Sequence, residues 1–302
     1  HVHANISVYT ATDGTRLRVG SWSSQIDSDA GKTIVLLTGR ASFIEKNQEF
    51  IDDLTRRGFN VELMEWRGHG GSDRPILHSQ KCHIDSFQTY LNDLHLYLEN
   101  HVAPRHPGPW IMVGVSMGGH LALRYAHDHP EHIKKLALVV PMIDMATAPF
   151  PRAIVGPLTG WMCFWGFQET YAFGFKDIIL TTIPPFSRET HDKNRHEKTY
   201  ETMRMYPDFV ISGPTFGWVK AAHESIVATK IPDFYNKITM PVFIQLADLD
   251  HLVVNSIVPS KCAAMKHCTM KTYKGSYHNI TKETDDIRNS FLNDLELFLK
   301  NE

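Results

Sequence analysis

Hydrophobic and polar positions change their spacing several times along the chain. In the first 25 residues they alternate, and Asp13-Gly14 lies between two alternating runs, which predicts a β-hairpin. The next run, KTIVLLTGR, is apolar without a break and ends in a glycine turn, as expected of a strand buried on both faces. The segment after it, FIEKNQEFIDDLTRRGF, has the spacing of a helix. Its apolar residues near one face are Phe43, Phe50, Ile51 and Leu54.

This alternation of short apolar runs and helical segments continues to about residue 141. The predicted strands are NVELMEW, WIMVGVS and KKLALVVPM, and the predicted helices are IDSFQTYLNDLHLYLENHV and GGHLALRYAHDH. Strands that alternate with helices at this spacing form a parallel sheet with helices packed against it. The pattern therefore predicts an α/β protein with a mostly parallel central sheet flanked by helices.

The pattern breaks at about residue 142. The segment ATAPFPRAIVGPLTGWMCFWGFQETYAFGF is rich in proline, glycine and aromatic residues and predicts short apolar helices and loops. The segment SRETHDKNRHEKTYETMRMYP predicts a solvated helix of nearly balanced charge. Strand and helix patterns resume with MPVFIQLADLD and end with the predicted helix DDIRNSFLNDLELFLKN. We expect an α/β core of residues 1–141 and 231–302 with an inserted helical cap of about 142–230.

Composition and charge argue against several classes of protein. The 302 residues are 42% hydrophobic and 21% charged, and the net charge of −2 gives no basic surface for nucleic acid. No apolar run reaches the roughly 18 residues of a membrane-spanning helix, and the first ten residues lack the pattern of a signal peptide. We therefore expect a cytoplasmic location.

Cysteines and histidines give no sign of a metal centre. The four cysteines form no C-x-x-C pair, and we expect them to be reduced thiols: Cys82, Cys163, Cys262 and Cys268. The 18 histidines are dispersed, without an H-E-x-x-H motif, so we expect most of them to be surface or core residues. We expect neither a metal nor an organic cofactor.

A serine between glycines follows the predicted strand WIMVGVS. The run Gly114-Val115-Ser116-Met117-Gly118 fits G-x-S-x-G, with a strand before it and a helix after it, which is the context of a nucleophile elbow. Such a turn strains the serine backbone, and a side chain at either glycine would collide with the neighbouring strand or helix. Ser116 Oγ would then be exposed at the carboxyl edge of the sheet. The alternative is a tight turn without chemistry.

A serine hydroxyl needs a base, and the base needs an acid that orients it. In this type of sheet the chain order is serine, acid, histidine. The segment FIQLADLDHLV places Asp250 just after a strand, and YKGSYHNITKE places His278 just after the next strand. We prefer Asp250 because a loop two or three residues past the strand can turn its side chain inward. Asp248 is the alternative, and Asp144, at the end of an earlier strand, is a third candidate.

The tetrahedral intermediate of acyl transfer also needs N–H donors for its oxyanion. The residue after the nucleophile, Met117, supplies one backbone N–H. The loop after the first parallel strand, LLTGRASF, is expected to supply the second from Arg40, with Gly39 allowing the backbone to approach.

These stretches together resemble the α/β-hydrolases. The elbow GVSMGG, the loop WRGHGGSDR, the acid loop ADLDHLV and the segment YHNITKE are similar to the branch that holds bacterial lysophospholipases and monoacylglycerol lipases. The segments TGRASFIEKNQEF and GPTFGWVKAA are similar to the lysophospholipases in particular. The resemblance implies Ser116 as nucleophile, Asp250 as acid and His278 as base, with Met117 and Arg40 as oxyanion donors.

The resemblance also implies an activity. It is that of a serine hydrolase that cleaves the carboxylic ester of a single-chain lipid, a lysophospholipid or a monoacylglycerol, through an acyl-enzyme. Many members have His-Gly where this chain has Thr38-Gly39, but the donors there are backbone groups, so we expect the oxyanion hole to survive. A general carboxylesterase, a thioesterase or an acyltransferase would use the same triad. A ligand-binding protein with residual hydrolysis is the alternative from another class.

The inserted segment resembles a cap over the active site of this family. It carries eight aromatic rings: Phe150, Trp161, Phe164, Trp165, Phe167, Tyr171, Phe173 and Phe175. These rings either form the cap's own core, or line an apolar tunnel for an acyl chain, or touch a membrane surface. We expect peripheral contact of the cap with the inner membrane.

Overall fold

The computed structural model describes residues 4–26, 32–77, 80–182 and 189–301. Within these residues one eight-stranded sheet forms the centre, in the order β1-β2-β4-β3-β5-β6-β7-β8. The strands are β1 (Ala4–Thr10), β2 (Arg16–Trp22), β3 (Thr33–Leu37), β4 (Asn60–Met64), β5 (Trp110–Val115), β6 (Ile133–Val139), β7 (Val242–Ala247) and β8 (Cys268–Tyr273). β2 is antiparallel to β1 and β4, and the other neighbouring strands are parallel. The predicted hairpin and the mostly parallel sheet are confirmed.

Helices cover both faces of this sheet. The α-helices of the described residues are α1 (Gln48–Arg56), α2 (Phe87–Tyr97), α3 (Met117–Asp128), α4 (Arg152–Phe164), α5 (Lys193–Met205), α6 (Phe216–Ala228), α7 (Val258–Ala263) and α8 (Asp285–Lys300). Buried side chains of α1 and α8 pack on one face, and those of α2, α3, α6 and α7 pack on the other. Along β3, Ile34 and Leu36 face the core beneath α1 and α8. Val35 and Leu37 face the core on the opposite side of the sheet. The unbroken apolar run of this strand follows from burial on both faces.

The segment between β6 and β7 holds α4, α5 and α6. The predicted solvated helix is α5, although the first two residues of its sequence segment lie outside the described residues. Helix α6 contacts both α4 and α2, and its Trp218 and Ala222 join the buried core of the sheet. The division into a core of 1–141 and 231–302 and a cap of 142–230 stays a prediction.

The expectation of reduced thiols is wrong for two of the four cysteines. Cys262, in α7, and Cys268, the first residue of β8, form a disulfide with their Cα atoms 5.3 Å apart. Cys82 and Cys163 are free. Disulfides persist mainly in oxidising compartments, so this bond weighs against a strictly reducing environment. Among the described residues, no helix is long and apolar enough to cross a membrane.

Candidate active site

The loops that carry the predicted site residues leave the same edge of the sheet. β3, β5, β7 and β8 run parallel, so their carboxyl ends lie together. Thr38, Ser116, Asp248 and the loop to His278 follow these four ends. In open α/β sheets this edge is where ligands bind.

Ser116 is the single residue between the end of β5 and the start of α3. Its backbone has φ of 54° and ψ of −114°, a left-handed conformation that side chains rarely adopt. Hydrogen bonds hold it there: its N–H donates to the carbonyl oxygen of Val139 at 2.9 Å, and its own carbonyl accepts from the N–H groups of His120 and Met142 at 3.1 and 3.0 Å. The serine side chain therefore points away from the sheet in a fixed direction.

The glycines around Ser116 are required by close contacts. A Cβ on Gly118 would lie 2.1 Å from the carbonyl oxygen of Leu37, and one on Gly114 would lie 2.6 Å from the carbonyl oxygen of Gly118. Both distances are far inside van der Waals contact, so the predicted reason for these glycines is confirmed. A Cβ on Gly39 would lie 3.3 Å from Ser116 Cβ, which places the loop after β3 directly beside the serine.

The structure brings Ser116, His278 and Asp250 into one line of hydrogen bonds. His278 Nε2 lies 3.0 Å from Ser116 Oγ, and His278 Nδ1 lies 2.7 Å from Asp250 Oδ2. With a carboxylate at Nδ1, that nitrogen carries the proton, and Nε2 can accept a proton from the serine hydroxyl. The three side chains come from the loops after β5, β7 and β8.

Asp250 is held as a carboxylate although its side chain is fully buried. Burial alone would raise the pKa of Asp250. The hydrogen bond and charge of His278 and the N–H groups of Leu252 and Val253 outweigh this effect and lower the pKa below its ordinary value. These N–H groups donate to Asp250 Oδ1 at 2.9 and 3.1 Å, so both carboxylate oxygens have partners.

The two other candidate acids lie elsewhere. Asp248 Oδ2 accepts the N–H of Gly275 at 3.2 Å. Asp144 Oδ1 accepts the N–H of Met145, and its Oδ2 lies 3.2 Å from an Arg152 nitrogen. Asp250 is thus the one of the three that the structure places on His278.

The predicted oxyanion donors flank Ser116. Met117 is the first residue of α3, where backbone N–H groups have no partner within the helix. Arg40 follows Gly39 in the loop beside Ser116 Cβ and lines the same cavity as Ser116 and Met117. The loop between Arg40 and α1 is fixed by contacts that include Lys46 Nζ to the carbonyl oxygen of Ala41 at 2.9 Å.

Glu65 supports this loop, and no motif in the sequence marks it. Its buried carboxylate accepts the N–H groups of Ile44 and Gly71, each at 2.7 Å, and lies 3.0 Å from an Arg18 nitrogen. Burial raises the pKa of Glu65 to about 7, against the pull of those N–H groups and of Arg18. Its three partners come from three separate stretches of chain, so no local motif could reveal it.

Glu283 supports the loop that carries His278 in a similar way. Its buried carboxylate accepts the N–H of Tyr277 at 2.8 Å and the N–H of His191 at 3.1 Å. It therefore ties the residue before the candidate base to the segment between β6 and β7.

A cavity of about 260 Å³ opens onto Ser116. Its walls are mostly apolar and come from the loop after β3, from α4 and α6, and from the loops around them. Three of the eight predicted cap rings line it: Phe150, Phe173 and Phe175. Phe173 and Phe175 are exposed as well, and so are four rings that do not line the cavity: Trp161, Phe164, Trp165 and Phe167.

Comparisons with known proteins show the family and the fold of this chain. Residues 28–285 match the family described as "Serine aminopeptidase, S33". The probable lysophospholipase L2 of Haemophilus influenzae is 27% identical over 276 residues, covering 91% of this chain and 86% of that protein. The monoglyceride lipase of Rattus norvegicus is 21% identical over 293 residues, covering 95% of this chain and 88% of that protein.

Solved structures show the same fold. A soluble variant of monoglyceride lipase from Saccharomyces cerevisiae, in complex with a substrate analog, superposes with a TM-score of 0.77 at 17% identity and covers 99% of this chain and 96% of that chain. A carboxyl esterase from Bacillus coagulans, in complex with glycerol, gives 0.74 at 16% identity, with 99% and 98% covered. At these identities the likeness establishes the fold alone.

Proposed function

We propose a function from the premise that this chain belongs to the family described as "Serine aminopeptidase, S33" and has the α/β-hydrolase fold, as its sequence resemblance implied. The chain is a carboxylic ester hydrolase that acts on single-chain lipids. The observation that carries the proposal is the hydrogen-bonded line of Ser116, His278 and Asp250, whose serine lines an apolar cavity.

Each group of the site has one task in ester hydrolysis. Ser116 Oγ attacks the ester carbonyl while His278 Nε2 takes its proton, and Asp250 stabilises the resulting imidazolium. The N–H groups of Met117 and Arg40 receive the oxyanion. His278 then passes the proton to the departing alcohol, which leaves an acyl group on Ser116. Water, deprotonated by His278, attacks this acyl-enzyme and frees the fatty acid.

The apolar lining of the cavity is an argument that the site recognises the acyl chain of its substrate. Each buried methylene contributes about 0.8 kcal/mol, so such a wall binds long chains better than short ones. Relatives named lysophospholipase and monoglyceride lipase point to lipids with a single chain.

Arg40 favours a lysophospholipid among these lipids. Among the described residues it is the one charged side chain that lines the cavity. Its guanidinium donates to the carbonyl oxygen of Ser212 at 2.6 Å and lies 5.9 Å from the ring centre of Trp218, with no carboxylate paired to it in the described part of the chain. A guanidinium with free donors binds phosphate well. A phosphate close to the scissile ester is present in a lysophospholipid and absent from a monoacylglycerol.

Peripheral membrane contact through α4 completes the proposal. Val155, Leu158 and Thr159 of this helix line the cavity. Trp161 and Phe164, spaced as i and i+3, and Trp165, directly after the helix, are exposed, and Phe164 retains 81% of its accessible surface. Exposed apolar stripes with aromatic residues are typical of helices that lie in a membrane interface.

Hydrolysis of three substrates by wild type and Ser116→Ala tests the proposal. The substrates are a short-chain aryl ester, a long-chain monoacylglycerol and a lysophospholipid. We expect wild type to cleave the lipids and Ser116→Ala to lose at least about 10³-fold in rate, because the nucleophile is gone. Cleavage of the short ester alone would contradict the lipid substrate, and no cleavage at all, or an undiminished mutant, would contradict the triad.

Arg40→Gln in the same assay tests the choice of lipid. The substitution keeps the backbone N–H and removes the guanidinium. We expect the ratio of kcat/KM for lysophospholipid over monoacylglycerol to fall about tenfold, with partial recovery in Arg40→Lys. An unchanged ratio would show that the guanidinium serves only Ser212 and Trp218.

A further inference from the structure

Three histidines meet at the end of α3 that is far from Ser116. His95 lies in α2, His129 directly follows α3, and His132 precedes β6. One ring nitrogen from each lies within 4.8 Å of the others, and all three residues are partly exposed. Twelve residues of α3 separate this cluster from the elbow, a helix length of about 18 Å. The cluster is thus separate from the candidate active site.

Further polar groups surround the three rings. The Tyr125 hydroxyl lies 3.2 Å from Nδ1 of His95 and 3.2 Å from Nδ1 of His132. Glu131 Oε1 lies 3.5 Å from Nε2 of His132 and 3.9 Å from Nδ1 of His129. A carboxylate therefore stands within reach of two rings, while a buried hydroxyl orients two of them.

We propose that His95, His129 and His132 bind a divalent transition metal ion, with Glu131 as the fourth ligand. Imidazole nitrogens with one carboxylate oxygen are a ligand set that suits Zn²⁺. A metal-bound histidine commonly gives its second ring nitrogen to a hydrogen-bond partner, and Tyr125 is such a partner for two of the rings. The site also lies at the C-terminal end of α3, where the helix dipole favours a cation.

The rings must turn before they can bind. The rings of His95 and His129 are stacked, with centres 4.7 Å apart and an angle of 9° between their planes. The nitrogen lone pairs lie in these nearly parallel planes and do not converge on one point. Tetrahedral zinc with bonds of about 2.0–2.1 Å needs ligand nitrogens roughly 3.3 Å apart. The proposal therefore requires these partly exposed rings to rotate about the Cβ–Cγ bond when the ion binds.

A bound ion would join the ends of α2 and α3 to the start of β6, and it would stabilise the folded chain.

Zinc titration of the metal-free protein tests this site. After treatment with EDTA and removal of the chelator, calorimetry with ZnCl₂ should show one saturable site. An excess of about 100-fold over Kd should raise Tm by about 4–8 °C. The double variant His129→Gln/His132→Gln should lose both the saturable heat and the rise in Tm.

Two further variants make the test specific. His267→Gln removes an exposed histidine from another part of the surface and should bind zinc as wild type does. His95→Gln removes one ligand from α2, and we expect its zinc affinity to fall at least about tenfold. A matching Tm in EDTA shows that each variant is folded. Equal zinc binding by wild type and the double variant, or no saturable binding by wild type, would overturn the proposal.

Discussion

Asp250 and Asp248 are two positions apart on one loop, yet they have different partners. Asp250 contacts His278, while Asp248 accepts the N–H of Gly275. Replacement of Asp250 by asparagine keeps the size and removes the charge that stabilises the imidazolium. We expect Asp250→Asn to lower kcat by about 10³–10⁴-fold and Asp248→Asn, the matched control, to retain activity, as measured by ester hydrolysis. Equal losses in the two variants would contradict the assignment of the acid.

The pKa of Asp250 also gives a direction for pH dependence. Its pKa is lowered in the folded protein, so the ionised form is favoured by folding. The resulting stabilisation is present above the unfolded value of 3.8 and is lost as the pH falls through the folded pKa.

Residues differ in how far the sequence could reveal them. Ser116 was predictable because strand, glycine turn and helix are contiguous in the sequence, although the contact that requires Gly118 comes from Leu37 of β3. His278 and Asp250 followed from chain order and strand ends. The role of Glu65 could not be predicted in this way, because it depends on burial and on backbone partners that are distant in the sequence. The cluster of His95, His129 and His132 was missed for the same reason, since α2 reaches it only through the fold.

At the scale of elements, the disulfide links the end of α7 to the first residue of β8. A loop of this length restricts the unfolded chain by about 2 kcal/mol. We expect Cys262→Ser/Cys268→Ser to lower the free energy of unfolding by about that amount, measured with denaturant. Thiol labelling of unfolded wild type should give two reactive thiols before reduction and four after it. Four thiols before reduction would contradict the disulfide.

Elements with strong periodicity were predicted well, and short ones less so. The runs that became β3, β5 and β7 are apolar throughout because both faces of the sheet are covered. Between β7 and β8 the chain forms only a single 3₁₀ turn, Asn255–Ile257, followed by the short α7, Val258–Ala263. The disulfide had no sequence signal, because a pair of cysteines six positions apart closes only when a helix end meets a strand start.

At the scale of the whole molecule, the exposed side of α4 should govern binding to lipid vesicles. We expect Phe164→Ser/Trp165→Ser to reduce co-sedimentation with phospholipid vesicles at least about tenfold, because two large apolar side chains no longer enter the interface. Hydrolysis of a short soluble ester measures the site itself, independently of vesicles. Leu297→Ser, which removes a similarly exposed apolar residue from α8, is the matched control. Equal vesicle binding by all three proteins would contradict membrane contact through the cap.

The sequence could not decide which rings of the cap do what. Its composition predicted apolar helices, but the split between cavity-lining Phe150 and exposed Phe164 depends on how α4 and its loops are placed over the sheet. That placement involves α6, which packs on both α4 and α2. Three-dimensional packing of distant segments, and not local pattern, sets the roles of these side chains.

Helix α4 has the cavity on one side and exposed aromatic rings on the other, and this has a consequence for the kinetics. With the rings in a bilayer, a substrate reaches Ser116 by lateral diffusion within the lipid layer, and its acyl chain passes from one apolar environment to another. The rate would then follow the mole fraction of substrate in the surface and not its concentration in the bulk solution. Dilution of the substrate with inert lipid at constant total substrate would slow such an enzyme.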